Sequence, residues 1–121
     1  MKFLVVDDSS TMRMLMKRTL RQAGFGGHIV EEAENGADAL EKIQIDQPDL
    51  VLCDWNMPVM TGIRLLETLR DLGIRVKFGF VTAEGTPEMR AKATARGAQF
   101  LISKPFTSLE FEYSLSELLA A

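Results

Sequence analysis

Three acidic residues, a hydroxyl and an ammonium stand at the ends of four apolar runs in this chain. Lys2-Phe3-Leu4-Val5-Val6 runs into Asp7-Asp8, and Asp49-Leu50-Val51-Leu52-Cys53 runs into Asp54. Val76-Lys77-Phe78-Gly79-Phe80-Val81 runs into Thr82, and Phe100-Leu101-Ile102-Ser103 runs into Lys104. Carboxylates drawn within a few ångströms of one another repel, and one of them would ordinarily hold a proton. A hard divalent cation removes that conflict, and Mg²⁺ suits a few carboxylate oxygens completed by water and a phosphate oxygen. A carboxylate in such a site can attack phosphorus and form an aspartyl phosphate. The metal and a nearby lysine then stabilise charge on the transferring oxygens. Lys104 is a compact point charge suited to that task, and Thr82 can donate its hydroxyl to a phosphoryl oxygen. Spacing alone does not choose the acceptor among Asp7, Asp8 and Asp54.

Taken singly, each residue has a plainer reading. Asp7-Asp8 can be turn residues or a helix cap, Asp54 a loop residue and Thr82 a strand-end hydroxyl. Lys104, ahead of Pro105, can be a surface lysine. Their coincidence at four strand ends favours the chemical reading. For that coincidence to matter, the elements must bring the ends together.

Short apolar runs interleaved with helical patterns are the mark of buried strands in a parallel sheet. Ligands of such sheets bind outside the carboxyl ends of the strands. His28-Ile29-Val30-Glu31-Glu32-Ala33 alternates and is more polar, as an edge strand would be. Five helical patterns separate or follow the strands. The first, about Ser10 to Ala23, puts Met12, Leu15, Met16, Thr19 and Ala23 on one face and stops at Gly24. The second opens at Asn35 and carries Ala39, Leu40 and Ile43 towards Pro48. The third follows Thr61-Gly62 with Ile63, Leu66 and Leu69, and stops at Gly73. The fourth has Thr86 as cap and Pro87 at its first position, and its Ala91, Ala93 and Ala95 predict light packing. The fifth begins with the capping-box spacing Thr107-Ser108-Leu109-Glu110 and points Phe111, Leu115 and Leu118 inward. The pattern predicts an α/β fold, (βα) five times over, doubly wound and flavodoxin-like, with strand order 2-1-3-4-5. Its switch point falls between the strands that end in Asp7-Asp8 and Asp54.

Composition narrows the classes. The 121 residues suit one domain spanning 1–121, with no attached output domain. Fourteen basic and seventeen acidic residues leave a net charge of −3 with no basic cluster, which argues against nucleic acid as a direct partner. Cys53 is the only cysteine, so no intrachain disulfide forms, and a reducing cytoplasmic location is expected. No stretch has the length of a membrane span, and the apolar start is too short for a signal peptide. Cys53 should point into the core, His28 should lie on the surface, and Trp55 should be exposed beside Asp54. Met14 sits off the apolar face of its helix. Ser9-Ser10-Thr11 is a helix cap before it is a phosphate cradle.

The set Val5-Val6-Asp7-Asp8, Leu52-Cys53-Asp54-Trp55-Asn56-Met57-Pro58, Val81-Thr82-Ala83-Glu84 and Lys104-Pro105-Phe106 resembles the receiver domain of two-component response regulators. The match covers essentially the whole chain, and its Asp-Trp-Asn-Met-Pro and Thr-Ala-Glu segments are most like the stand-alone chemotaxis members of that family. The resemblance implies that Asp54 accepts a phosphoryl group from the phosphohistidine of a histidine kinase. It implies that Asp8, Asp54 and the carbonyl of Asn56 hold Mg²⁺, with Asp7 acting through water. Thr82 and Lys104 would contact the phosphoryl group, and Thr82 would couple it to the output face. Such a protein is a phosphoacceptor switch that assists its own phosphorylation and dephosphorylation, and not a turnover enzyme. Asn56 and Glu84 match the polar pair of quickly resetting members, which implies short-lived phosphorylation. Lys104-Pro105 is expected to be cis. Leu109 and Tyr113, off the inward stripe of the fifth helix, fall where the family binds partners, with a flagellar motor switch protein as the expected effector and a phosphatase as a further partner. The family usually has Tyr or Phe three residues before the lysine, where this chain has Leu101. Either Leu101 performs a reduced switch, or signalling runs through backbone and helix shifts. Other roles compatible with the residues are a phosphorelay intermediate or phosphate sink, a metal-dependent phosphohydrolase, and a flavin carrier.

Overall fold

The apolar stretches pair side by side in a parallel sheet in the computed structural model, which describes residues 1–119. The strands are β1 (Lys2–Val6), β2 (Ile29–Ala33), β3 (Leu50–Cys53), β4 (Lys77–Thr82) and β5 (Phe100–Ser103). Their order is β2-β1-β3-β4-β5, the predicted doubly wound arrangement. The helices are α1 (Ser10–Leu20), α2 (Gly36–Ile45), α3 (Gly62–Asp71), α4 (Pro87–Ala95) and α5 (Ser108–Leu118). Each opens on a side chain that accepts a backbone N–H: Ser9, Asn35, Thr61, Thr86 and Thr107. Such caps satisfy amides that would otherwise be orphaned and contribute about 1 kcal/mol each. Thr107 and Glu110 complete the reciprocal capping box.

Side-chain alternation along the strands divides the core between the two sheet faces. Leu4, Val6, Val51, Cys53, Phe78 and Phe80 pack with Ile43, Leu66, Leu69 and Ala93 on one side. Phe3, Val5, Leu50, Leu52, Val81 and Ile102 pack with Met16, Leu20, Phe111 and Leu115 on the other. Burial of each Leu or Phe contributes roughly 2 kcal/mol. The central strands are buried on both faces, whereas β2 alternates as an edge strand does. On α4 only Ala93 is buried, in keeping with the light packing expected of that helix.

One expectation about α1 needs correction. Leu15, placed on the inward face by periodicity, is 41% exposed, and the stripe runs through Met16, Thr19, Leu20 and Ala23 instead. Thr19 can lie inside because its hydroxyl donates to the Leu15 carbonyl at 2.8 Å. The helical backbone does break at Gly24, as expected. Residues Arg21–Phe25 form a wider π turn in which Gly24 takes φ of 99°, a conformation favoured only by glycine.

The β4–β5 pairing settles which way two neighbouring residues face. Phe100 pairs with Gly79 and packs against the α1–α5 core, whereas Leu101 packs on the opposite face with the α2–α3 core. A Cβ on Gly79 would lie 2.0 Å from Cζ of Phe100, so the ring occupies the space that the missing side chain leaves.

Candidate functional site

The site is built where the ladder hydrogen bonds run on past the strands. Asp7 N–H donates to the Ala33 carbonyl at 3.1 Å, and Asp54 N–H donates to the Val6 carbonyl at 2.9 Å. These bonds place the residue after β1 beside the residue after β3. Asp7 is 1% exposed and Asp54 7% exposed, whereas Asp8 faces solvent. Ligand-capable oxygens of the three carboxylates all lie within 4.8 Å of one another.

The three acids are held differently. Both oxygens of Asp7 are engaged: Oδ1 accepts from Ser9 N–H at 2.9 Å, and Oδ2 accepts from Lys104 Nζ at 2.9 Å. Its backbone carbonyl accepts from Arg13 Nη1 at 2.7 Å. Asp54 accepts from the Trp55 N–H at 2.7 Å through Oδ1, which leaves Oδ2 facing Lys104 Nζ at 3.4 Å. Burial raises the Asp54 carboxyl above its ordinary range; Lys104 opposes that shift and the Asp7 charge adds to it. Burial alone would lower the Lys104 ammonium, but its bonds and attraction to Asp7 and Asp54 outweigh burial and raise it. A set of hard oxygens, crowded and only partly neutralised by one ammonium, fits a small divalent cation such as Mg²⁺.

Backbone contacts hold the acceptor loop. A Cβ on Gly62, the first residue of α3, would lie 2.1 Å from the Asp54 carbonyl oxygen, and Gly62 N–H donates to the Trp55 carbonyl at 2.9 Å. Gly36 approaches Met60 in the same way, donating to its carbonyl at 3.2 Å. Between them Val59 takes φ of 69° inside a tight turn closed by a 2.7 Å bond from Met60 N–H to the Pro58 carbonyl. That left-handed conformation is unfavourable for a β-branched side chain, and strain of this kind concentrates at functional sites.

Thr82 ends β4 fully buried, its Oγ1 accepting from Glu84 N–H at 3.3 Å and its carbonyl accepting from Lys104 N–H at 2.7 Å. Asn56 and Glu84 are exposed on the loops after β3 and β4. Lys104–Pro105 is cis, as expected. Cys53 points into the core, its thiol pushed well up by burial and by the nearby Asp54 and Asp7 charges. Trp55 is half-buried and not exposed, because its ring lies 4.8 Å from that of Phe80. His28 is also half-buried, edge-on to Phe3 at 5.6 Å, in place of the surface position expected. Met14 is exposed.

Away from the acids, Leu109 and Tyr113 project from α5 with 73% and 87% exposure. With Arg90, Leu101 and Ser103 they line an open groove of about 420 Å³. Two residues that shape the site escaped the sequence reading, Arg13 and Gly62. The signals were there in principle: Arg13 and Lys17 four apart on one helical face, and a glycine directly after a capping threonine.

Residues 3–115 match the family profile described as the response regulator receiver domain. The chain belongs to the response regulator receiver family. Among its relatives, the chemotaxis protein CheY of Bacillus subtilis is 40% identical to this receiver over 105 residues, covering 87% of this chain and 86% of that protein. CheY-3 of Vibrio cholerae is 38% identical over 120 residues, 98% of this chain and 91% of that one. In structure, the receiver resembles V. cholerae CheY4 with a TM-score of 0.84 at 34% identity, covering 96% of each chain. It also resembles a CheY-like receiver domain protein from Methanospirillum hungatei, with a TM-score of 0.85 at 30% identity over 98% of this chain and 92% of that one. The receiver is thus of the CheY-like kind, and its sheet order is that of the family fold. No helix among the described residues is long and apolar enough to cross a membrane.

Proposed function

We propose that this receiver is a phosphorylation switch whose acceptor is Asp54 and whose donor is the phosphohistidine of a histidine kinase. The observation that carries the choice of acceptor is the unequal engagement of the acids. Asp7 has both oxygens bonded, whereas Asp54 has one oxygen fixed by Trp55 N–H and the other turned towards Lys104 at 3.4 Å. A nucleophile held by one oxygen is oriented without being blocked.

In the reaction, Asp54 Oδ2 forms a bond to phosphorus as the phosphorus–nitrogen bond of the donor breaks, and the electron pair leaves on the imidazole nitrogen. Asp8, Asp54 and the Asn56 carbonyl would hold Mg²⁺, with Asp7 reaching it through water. The ion supplies charge neutralisation for the phosphoryl oxygens. Lys104 turns from Asp7 towards those oxygens, where its ammonium has the larger charge to meet. The Thr82 hydroxyl gives up the Glu84 amide and donates to a phosphoryl oxygen, drawing the β4–α4 connection inward. Asn56 and Glu84, flanking the acceptor on two loops, govern access of water and so the lifetime of the acyl phosphate.

Output follows from that movement. Leu101, packed behind the β4–α4 connection, and the exposed pair Leu109 and Tyr113 form the face whose partner affinity changes. The chemotaxis names of the relatives support a chemotaxis role, in which the effector is a flagellar motor switch protein in the cytoplasm and a phosphatase resets the signal. A motor-switch peptide should bind more tightly when beryllofluoride occupies Asp54. Equal binding with and without beryllofluoride contradicts the effector assignment and favours a phosphorelay intermediate or phosphate sink.

A further inference from the structure

We propose that Arg13 is a positioning residue for the acidic pair: its guanidinium ties the Asp7 carbonyl to Glu32 and so sets the direction in which Asp8 reaches the divalent cation. The inference rests on the proposed metal role of Asp8. Arg13 Nη1 donates to the Asp7 carbonyl at 2.7 Å while Nε donates to Glu32 Oε1 at 2.9 Å. The arginine side chain is only 16% exposed. Glu32 is in turn a fixed anchor. Lys17, one turn further along α1, meets its other carboxylate oxygen at 3.3 Å, and Lys42 of α2 donates to its backbone carbonyl. The bond from Arg13, joined by Lys17, holds the Glu32 carboxyl below its ordinary range.

The geometry matters because a peptide unit is planar. Fixing the Asp7 carbonyl oxygen fixes the plane that also contains the Asp8 nitrogen and α-carbon. The Asp7 side chain is held by Ser9 and Lys104 and cannot readjust to compensate. Asp8, which faces solvent, is therefore aimed by the plane before it. Only an arginine serves here, since two donors of its rigid fork are used at once on a carbonyl and a carboxylate. A lysine keeps the charge but reaches one partner.

Charge and positioning predict opposite signs. Removing a cation beside an acidic cluster would by Coulomb's law strengthen divalent binding. Loss of a group that orients a ligand from outside the coordination shell weakens it, typically by 10-fold or more. Mg²⁺ binding is measured by titration calorimetry on folded protein for wild type, Arg13→Lys, Arg13→Gln and Glu32→Gln, with Asp8→Asn as the control that loses the ligand. Roughly 10-fold weaker binding is expected in both Arg13 variants, with no rescue by lysine, and a smaller loss in Glu32→Gln. Unchanged or tighter binding in Arg13→Lys overturns the proposal while leaving the metal site intact. If Arg13→Gln does not fold, Arg13→Lys and Glu32→Gln decide the matter alone. A wild type that binds no Mg²⁺, or an Asp8→Asn variant that binds as well as wild type, overturns the reading of the site itself and this inference with it.

Discussion

Lys104 donates to Asp7 at 2.9 Å across 97 residues of sequence, so in the unmodified protein its ammonium serves a buried carboxylate. Removing one member of a buried pair leaves the other charge uncompensated, a loss on the order of 3 kcal/mol. Lys104→Met should therefore destabilise the fold by about that amount in urea unfolding without divalent cations. Adding Asp7→Asn should recover more than half of the loss. Full additivity of the two substitutions would show that the pair is not coupled.

The raised Asp54 carboxyl makes stability depend on pH in a definite direction. A group that binds its proton more tightly when folded favours folding below its unfolded value and opposes it as pH rises through the folded value. Asp54 therefore opposes folding as pH rises through its folded value, because burial and the Asp7 charge disfavour its ionised form. Asp54→Asn should be more stable than wild type at neutral pH in the absence of metal. The advantage should shrink as pH falls through the raised folded value of Asp54 and be gone below about pH 4, where the carboxyl is protonated in both states. Urea unfolding at several pH values checks this, and a variant less stable than wild type at neutral pH contradicts it.

Gly79 and Phe100 make a complementary pair, since a side chain on the first would occupy the ring of the second. Gly79→Ala should cost about 2 kcal/mol through overpacking. Phe100→Ala, which removes a half-buried ring from the α1–α5 side, should cost about 2 kcal/mol. The double variant should be more stable than the sum of the two losses allows, because the new methyl group enters the vacated space. Strict additivity would mean that the ring has room elsewhere. The same packing means that Phe100 cannot stand in for the aromatic residue usual at the position of Leu101. It faces the other core.

The sheet order, the helix caps and the meeting of Asp7, Asp8 and Asp54 were all legible in the sequence. Apolar runs define buried strands, and crossover handedness leaves few topologies for five of them. Less legible was anything that depends on which side of a neighbour a residue falls. Periodicity placed Leu15 inside because it marks a face to within about one residue's rotation, and Leu20 took that role. The contrast between Asp7 and Asp54 rests on hydrogen bonds from Ser9, Trp55 and Lys104, which no spacing encodes. Arg13 and Gly62 act through backbone atoms of Asp7 and Asp54, and a carbonyl has no signature of its own in sequence.

The proposed switch depends on Asp54 as the residue that takes the phosphoryl group. Intact-mass spectrometry tests this directly, with purified protein incubated with Mg²⁺ and a small acyl phosphate and then quenched. Wild type should gain the mass of a single phosphoryl group, and the gain should vanish in Asp54→Asn and in protein treated with a chelator. A wild type that stays at its unmodified mass, or a phosphoryl group that persists in Asp54→Asn, would contradict the account.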